Sequence, residues 1–245
     1  MSTILANWPA PLTIHALTTT RVKGYSLPPY NSNNLAFHVG DVSEHVQANR
    51  NALVKSLKLP SEPIWLEQTH SNLCVIVDED TNRIADAAIT RCNNTPLAIM
   101  TADCLPIVLC DRNGTEIAAI HAGWRGLVNG IVEHTLEKMH SRPDTLLAWI
   151  GPSICQTCYE IGDTVQQAYT DKYPFTQSTF CTKDSKRFAN LPKMAELILN
   201  SLGVTAVFQS AACTFELENK FYSYRREAQT GRMATLIWFN TGRLK

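Results

Sequence analysis

The residue types best suited to chemistry in this chain sit at the ends of apolar runs. "LEQTH" ends at His70, "MTADCLP" carries Cys104, and "AAIHAGWRG" carries His121. Loops at strand ends are where a rigid scaffold exposes its working side chains. Two imidazoles and a thiolate make a good zinc set. Three protein ligands leave a fourth position for water or substrate, the arrangement of a catalytic site rather than a closed structural one. Copper(I) also tolerates mixed nitrogen and sulfur donors. Zinc held in this way lowers the pKa of its water to about 7 and polarises carbonyls. The same residues have plainer readings: histidines satisfied by hydrogen bonds, and a cysteine used as a small buried apolar group. They also allow chemistry without metal, with Cys104 as a nucleophile and His121 as its base.

The stretch after His121 adds a second feature. Gly123 and Gly126 form a turn that opens a helix, which offers backbone N–H groups and the positive end of a helix dipole. Arg125 adds a guanidinium able to grip a phosphate with two parallel bonds. The alternative is a helix start with a surface arginine. Trp124 either stacks on a planar ligand or fills the core. Asp103, beside Cys104, can orient a ligand, act as a base or solvate a turn. Cys110 ends a strand and is expected to be buried. "SYRRE", Ser223 to Glu227, either contacts an anion or is a solvated strand end. Cys155 and Cys158 form "CQTC"; a redox or zinc role there needs a second pair or a thioredoxin-like context, and the sequence displays neither.

These residues need elements to position them. Asp41 to Leu57 reads as a helix capped by Asp41, with Val46, Leu53, Val54 and Leu57 as its apolar stripe. "IWLEQT" and "LCVIV" read as two strands joined at a turn that carries His70. "PLAIMTADCLPIVLCD" reads as strand, break and strand, with Pro106 interrupting the ladder. "EIAAI" and "TLLAWI" are strands, the second halted at Gly151-Pro152. "LVNGIVEHTLEKMH" has helical spacing from Leu127 to Met139. "DTVQQAYTDKY" and "LPKMAELILNSLG" are helices, the second with Pro192 near its start and Gly203 past its end. "VTAVFQS" and "RMATLIWFN" are late strands. The mixture lacks a regular βαβ alternation, so the fold class is α/β (α+β): one central, partly antiparallel sheet system.

Composition bounds the rest. The chain has 245 residues, 44% hydrophobic and 18% charged, with a formal net charge of zero. A sizeable core is expected, in one domain spanning residues 1–245. Balanced, scattered charge gives no reason to propose nucleic-acid or membrane-surface binding. The start, "MSTILANWPAPLTIHALTTT", lacks the basic and apolar blocks of a signal peptide. No apolar run approaches the roughly 20 residues that span a bilayer. A cytoplasmic protein is expected, with its eight cysteines as reduced thiols rather than a disulfide framework.

"WLEQTHS", "MTADCLPIVL", "AAIHAGWRG", "WIGPSI", "CYEIG" and "FYSYRREAQTGRMATLIWF" together resemble the YfiH family over nearly the whole chain. That family carries an older label of multicopper polyphenol oxidase (laccase), and its members also go by the name purine nucleoside phosphorylase. The resemblance implies a single-domain α/β fold of layered mixed sheets with flanking helices. It implies zinc held by His70, Cys104 and His121. It implies phosphorolysis of adenosine, inosine, guanosine and methylthioadenosine, together with deamination of adenosine, so the partners are a nucleoside and phosphate. Arg21, in "TTTR", matches an arginine the family places near substrate. Two positions depart from the pattern: Lys23 precedes Gly24 where the family has Gly-Gly, and Ser71 follows His70 where the family has glycine. A role in peptidoglycan editing is also attached to the family, which suits a Cys/His hydrolase. Counting weighs against laccase chemistry: a blue-copper centre with a trinuclear cluster needs about ten histidines and a cysteine, and this chain has seven histidines. Copper at a single site leaves weak oxidase activity open. A non-enzymatic zinc-stabilised binding protein is disfavoured by the open ligand position and the nearby arginine.

Overall fold

Strands whose apolar residues run on without alternation must be covered on both faces. The two longest strands are buried at every position: β7 (Leu105–Asp111) and β14 (Met233–Phe239). Each is central to a different sheet in this computed structural model, which describes residues 2–240. One sheet has five strands in the order β1 (Thr3–Leu5), β2 (Ile14–Thr19), β14, β6 (Leu97–Thr101) and β3 (Ile64–Trp65). The other has six, in the order β13 (Ala206–Gln209), β9 (Leu146–Ile150), β7, β8 (Ile117–Ala122), β5 (Ala87–Thr90) and β4 (Cys74–Ile76). A small third sheet joins β10 (Glu160–Ile161), β12 (Lys186–Ala189) and β11 (Phe180–Lys183).

The two large sheets lie face to face. Val108, Cys110, Ala119 and Trp149 from one meet Ile14, Leu97, Ile99, Ile237 and Phe239 from the other. Helix α1 (Ser43–Leu57) covers the outer face of the five-stranded sheet, packing Leu53 among Leu17, Ala98, Leu236 and Trp238. The outer face of the six-stranded sheet carries α2 (Trp124–Val128), α3 (Ile131–Lys138), α4 (Asp163–Lys172) and α5 (Leu191–Ser201). Successive residues of β7 serve both layers: Ile107 and Leu109 face the helices, Val108 and Cys110 the other sheet. Fully burying such a side chain contributes roughly 1.5–3 kcal/mol, so the framework around the site is rigid. Cys110 is fully buried, as its position predicts. No helix among the described residues is long and apolar enough to cross a membrane.

The late strands, α4 and α5 fall where the sequence pattern puts them, and the left-handed Gly203 (φ +92°) follows α5. Several expectations are corrected. There is no single central sheet, because the apolar faces of two sheets bury one another. The segments flanking His70 are not a hairpin: β3 pairs with β6 and β4 pairs with β5, in different sheets. Pro106 does not break its strand. It lies inside β7 opposite His121, where its carbonyl still accepts a bond from Gly151 N at 2.9 Å. The break is at 102–104, where the chain changes sheets. The helix expected over Leu127–Met139 is two helices, parted at Gly130, whose φ of +92° leaves the helical region. Asp41 does not cap α1; Val42 holds the cap position, and the Asp41 carboxylate accepts from Val42 N and Asn34 Nδ2. Strands β1, β2, β5, β10, β11 and β12 do not follow from the pattern.

Candidate metal centre and its cavity

The chain passes from the five-stranded to the six-stranded sheet twice, between β3 and β4 and between β6 and β7. His70 lies in the first crossing and Cys104 in the second, while His121 is on the last turn of β8. The strand directions bring these three points to one end of the sandwich. Their ligand atoms all lie within 4.8 Å of one another. His70 Nε2 is 3.8 Å from Cys104 Sγ, and the two imidazoles meet edge to face with centroids 4.8 Å apart. His121 is buried, Cys104 half-buried and His70 exposed. The set is thus open on the His70 side.

Asp86 organises this arrangement. It is fully buried immediately before β5. Its carboxylate accepts a hydrogen bond from His121 Nδ1 at 2.7 Å, which leaves Nε2 for the cluster. The same carboxylate accepts from the backbone N–H groups of Thr69, His70 and Ser71 at 3.2, 3.1 and 2.6 Å, and from Ser71 Oγ at 2.6 Å. Those bonds hold His70 at φ +59°, a left-handed conformation uncommon for a side-chain-bearing residue. The Ser71 hydroxyl therefore adds a bond to the turn. Burial pushes the Asp86 carboxyl up, but the bonds from His121 and Ser71 overcome it and hold it at about 2. Burial likewise works against a charged His121, yet Asp86 and Cys104 raise it to about 9. Burial raises the Cys104 thiol, and bonds from His121 and His70 bring it down to about 6. A carboxylate behind a ligating histidine is the usual support of a metal site.

The start of α2 closes on the same cluster. A Cβ on Gly123 would come 2.9 Å from His70 Cδ2 and 3.2 Å from Cys104 Sγ, and one on Gly126 would meet Ser71 O at 2.9 Å. Both glycines are there because the α2 backbone presses directly on the ligands, not to allow an unusual φ. Asp103, at φ +89°, anchors the Cys104 crossing from its other side. Its carboxylate accepts from Thr214 Oγ1 at 2.7 Å, Ser223 Oγ at 2.9 Å and Arg225 N at 2.7 Å. Of its three sequence readings, orientation is the one these bonds describe.

The centre opens into a cavity of about 510 Å³. Arg125, Arg225 and Arg232 line it, and Asp103, already saturated with donors, is the one carboxylate among the lining residues. Each guanidinium stacks on an aromatic ring: Arg125 on Trp124 at 4.5 Å, Arg225 on Tyr159 at 5.3 Å and Arg232 on Tyr224 at 5.9 Å. His38 is also in the wall; burial first, then the charges of Arg232 and Arg50, pushes its pKa down. Trp124 both packs on the core and faces the cavity.

Sequence reasoning singled out the three ligands and Arg125 but missed Asp86, His38, Tyr159 and Arg232. An aspartate inside the apolar run "RIADAAIT" is the signal that could have revealed Asp86. Arg21 is not brought to this cavity. It lines a separate depression, donates to Asn31 O and Glu218 O, and lies 4.9 Å over Tyr222. The anion seat expected at the start of α2 is modest, because that helix is only five residues long; the positive charge in the cavity comes from side chains.

Stacked sheets with a histidine–cysteine–histidine centre opening on an arginine-lined cavity define a mixed α/β protein with a candidate metal site. Residues 15–240 match the family described as multi-copper polyphenol oxidoreductase laccase, and the chain belongs to that family. It is 42% identical to a purine nucleoside phosphorylase of Haemophilus influenzae, over 98% of this chain and 100% of that protein. It is 40% identical to the purine nucleoside phosphorylase YfiH of Escherichia coli K12, over 96% and 98% of the respective chains. A crystal structure from Neisseria meningitidis superposes with a TM-score of 0.93 at 40% identity, covering 98% of this chain and 100% of that one.

Proposed function

We propose that the protein is a zinc-dependent purine nucleoside phosphorylase. It takes adenosine, inosine, guanosine or methylthioadenosine with phosphate to the free base and the sugar 1-phosphate, and it also deaminates adenosine. The observation that carries this reading is the convergence of three arginines and a His/Cys/His ligand set on one cavity. The names of the relatives agree with it. Phosphorolysis forms a bond from a phosphate oxygen to C1′ and breaks the bond from C1′ to the base nitrogen. The phosphate must be held, partly stripped of water, against the sugar. Arg125, Arg225 and Arg232 supply charge-assisted donors for it, and Trp124, Tyr159 and Tyr224 offer flat faces to a purine. His38, whose pKa burial and the charges of Arg232 and Arg50 push down, lines the same cavity and is the candidate to pass a proton to the departing base. Zinc on His70, Cys104 and His121 would supply Lewis-acid polarisation beside the reacting atoms. The phosphate role of Arg125 belongs to this proposal; the substrate role expected of Arg21 does not, because Arg21 lines a separate depression.

The copper-oxidase reading draws support only from the family's description. Of the seven histidines, only His70 and His121 join the ligand cluster. A Cys/His hydrolase, with peptidoglycan editing as its setting, has one specific observation in its favour: Cys104, His121 and Asp86 form a continuous thiol–imidazole–carboxylate chain. One experiment separates the three. The protein is purified without added copper, its metal content measured, and inosine and adenosine turnover followed with and without phosphate for wild type and His121→Ala. Stoichiometric zinc with phosphate-dependent base release, lost in the variant, is expected. Full activity of the metal-free protein would overturn the proposal, phenol oxidation confined to copper-loaded protein would favour the oxidase, and metal-independent alkylation of Cys104 that abolishes turnover would favour the hydrolase.

A further inference from the structure

Cys155 and Cys158 acquire in the fold the second pair that their spacing lacks in the sequence. Cys213 and Glu216, also separated by two residues, lie opposite them, and the four ligand atoms are all within 4.8 Å of one another. Cys158 Sγ is 3.7 Å from Glu216 Oε1. Both pairs are presented on hydrogen-bonded turns. Cys158 N donates to Cys155 O at 3.1 Å, and Leu217 N donates to Cys213 O at 3.1 Å. The turns are stitched together by a parallel bridge between Ser153 and Cys213. Thr214 N donates to Ser153 O at 3.0 Å, and Cys155 N donates to Cys213 Sγ at 3.3 Å. The Cys155 amide thus gives Cys213 Sγ a backbone donor, the kind of outer-shell contact found around metal-bound cysteines.

We infer that Cys155, Cys158, Cys213 and Glu216 form a second metal site, a closed four-ligand site for Zn²⁺ separate from the His70–Cys104–His121 centre. Three sulfurs select against magnesium and calcium, which take oxygen. Three thiolates and a carboxylate satisfy the four-coordinate preference of zinc and leave no position for substrate. Ligand atoms around tetrahedral zinc sit about 3.8 Å apart, so closing the site asks for a shift of roughly an ångström in the widest pair. Glu216 is exposed and Cys155 and Cys158 are half-buried, so the side chains have room to make it. A disulfide would use two of the sulfurs and leave the third sulfur and the carboxylate without a role.

The site would staple two loops that build the catalytic cavity. Ile154 and Tyr159, on either side of the CQTC turn, are in the cavity wall. Ile154 N donates to Asp103 O at 3.1 Å, and Thr214, next to Cys213, donates to the Asp103 carboxylate. The inference does not rest on the proposed phosphorylase activity.

The test is metal stoichiometry on the full chain, purified anaerobically with reductant. Wild type is expected to hold about two zinc ions per chain and Cys158→Ser about one. In a His70→Ala/Cys104→Ser background, which removes the first centre, cobalt(II) is expected to give an intense thiolate-to-cobalt band that Cys155→Ser abolishes. Glu216→Gln changes only an exposed side chain and should fold; it is expected to weaken cobalt binding by at least about tenfold, since loss of an outer-shell partner alone costs that much. About one zinc in wild type and Cys158→Ser alike would overturn the inference. So would a cobalt band indifferent to both Cys155→Ser and Glu216→Gln, or a disulfide within the cluster in the anaerobic protein.

Discussion

At the His70–Cys104–His121 centre, three ligands come from three distant stretches of chain, and none of the stretches resembles another. At the Cys155–Cys158–Cys213–Glu216 cluster, four come from two turns with the same spacing. The first centre is backed by a buried carboxylate, pressed by a glycine backbone and open to a cavity with three arginines. The second has its own backbone amides for support and no access to that cavity among its ligands. Under the two proposals, the difference separates a place that admits a reactant from a place that holds chain together.

Removing Asp86 tests that contrast most severely. Asp86→Ala leaves His121 and the 69–71 amides without their acceptor, and loss of one partner of a buried pair costs about 3–5 kcal/mol. Zinc affinity at the first centre should fall at least tenfold, about the usual effect of removing a ligand's support. Thermal unfolding and zinc titration check both, and an unchanged titration would mean that the carboxylate does not orient His121. Gly123→Ala comes next. Its backbone φ of −62° suits alanine, so any cost is crowding of His70 and Cys104, about 1–3 kcal/mol, read as weaker metal binding. Arg232→Ala leaves both metal clusters intact. Under the proposed function it should raise the KM for phosphate about tenfold, the loss of a bond to a charged group, with little change in zinc content. An unaltered phosphate dependence would remove Arg232 from the anion seat.

The smallest effect is one of pH. In metal-free protein Cys104 holds its thiolate down to about 6 against an ordinary value of 9.0. Because the folded value is the lower one, its contribution to stability is present above the ordinary thiol range and is lost as pH falls through about 6. Alkylation of Cys104 should therefore switch on near pH 6 in the stripped protein, and added zinc should suppress it. A midpoint near that of a free thiol would show that the imidazoles do not support the anion.

The three candidate ligands of the open centre were legible in the sequence because each punctuates an apolar run, and the fold brings them together. Arg125 was legible beside its glycines, although what those glycines admit is close packing against His70, Cys104 and Ser71. Asp86 was hidden because its partners are 15 to 35 residues away, beyond any local pattern. The CQTC pair looked incomplete for the same reason: its complement is 58 residues further on. Continuous apolar runs announced buried strands but could not say which sheet each joins. The hairpin assigned around His70 therefore became a crossing between sheets.

Those crossings also bear on the order of assembly. His70 and Cys104 follow strands of one sheet and His121 ends a strand of the other, so neither sheet alone owns the ligand set. The cluster is complete only when the two sheets pack together, so under the proposed function an ion held there would act as a latch on the docked state. At free zinc a thousand times the dissociation constant, that latch adds about 4 kcal/mol. The cysteine-rich cluster hangs from β9 and β13, neighbours within one sheet, and can close before docking. Hydrogen exchange with and without zinc in single-site variants would show the difference, with protection across the interface between sheets responding to the His–Cys–His ion and local protection of the two turns to the other.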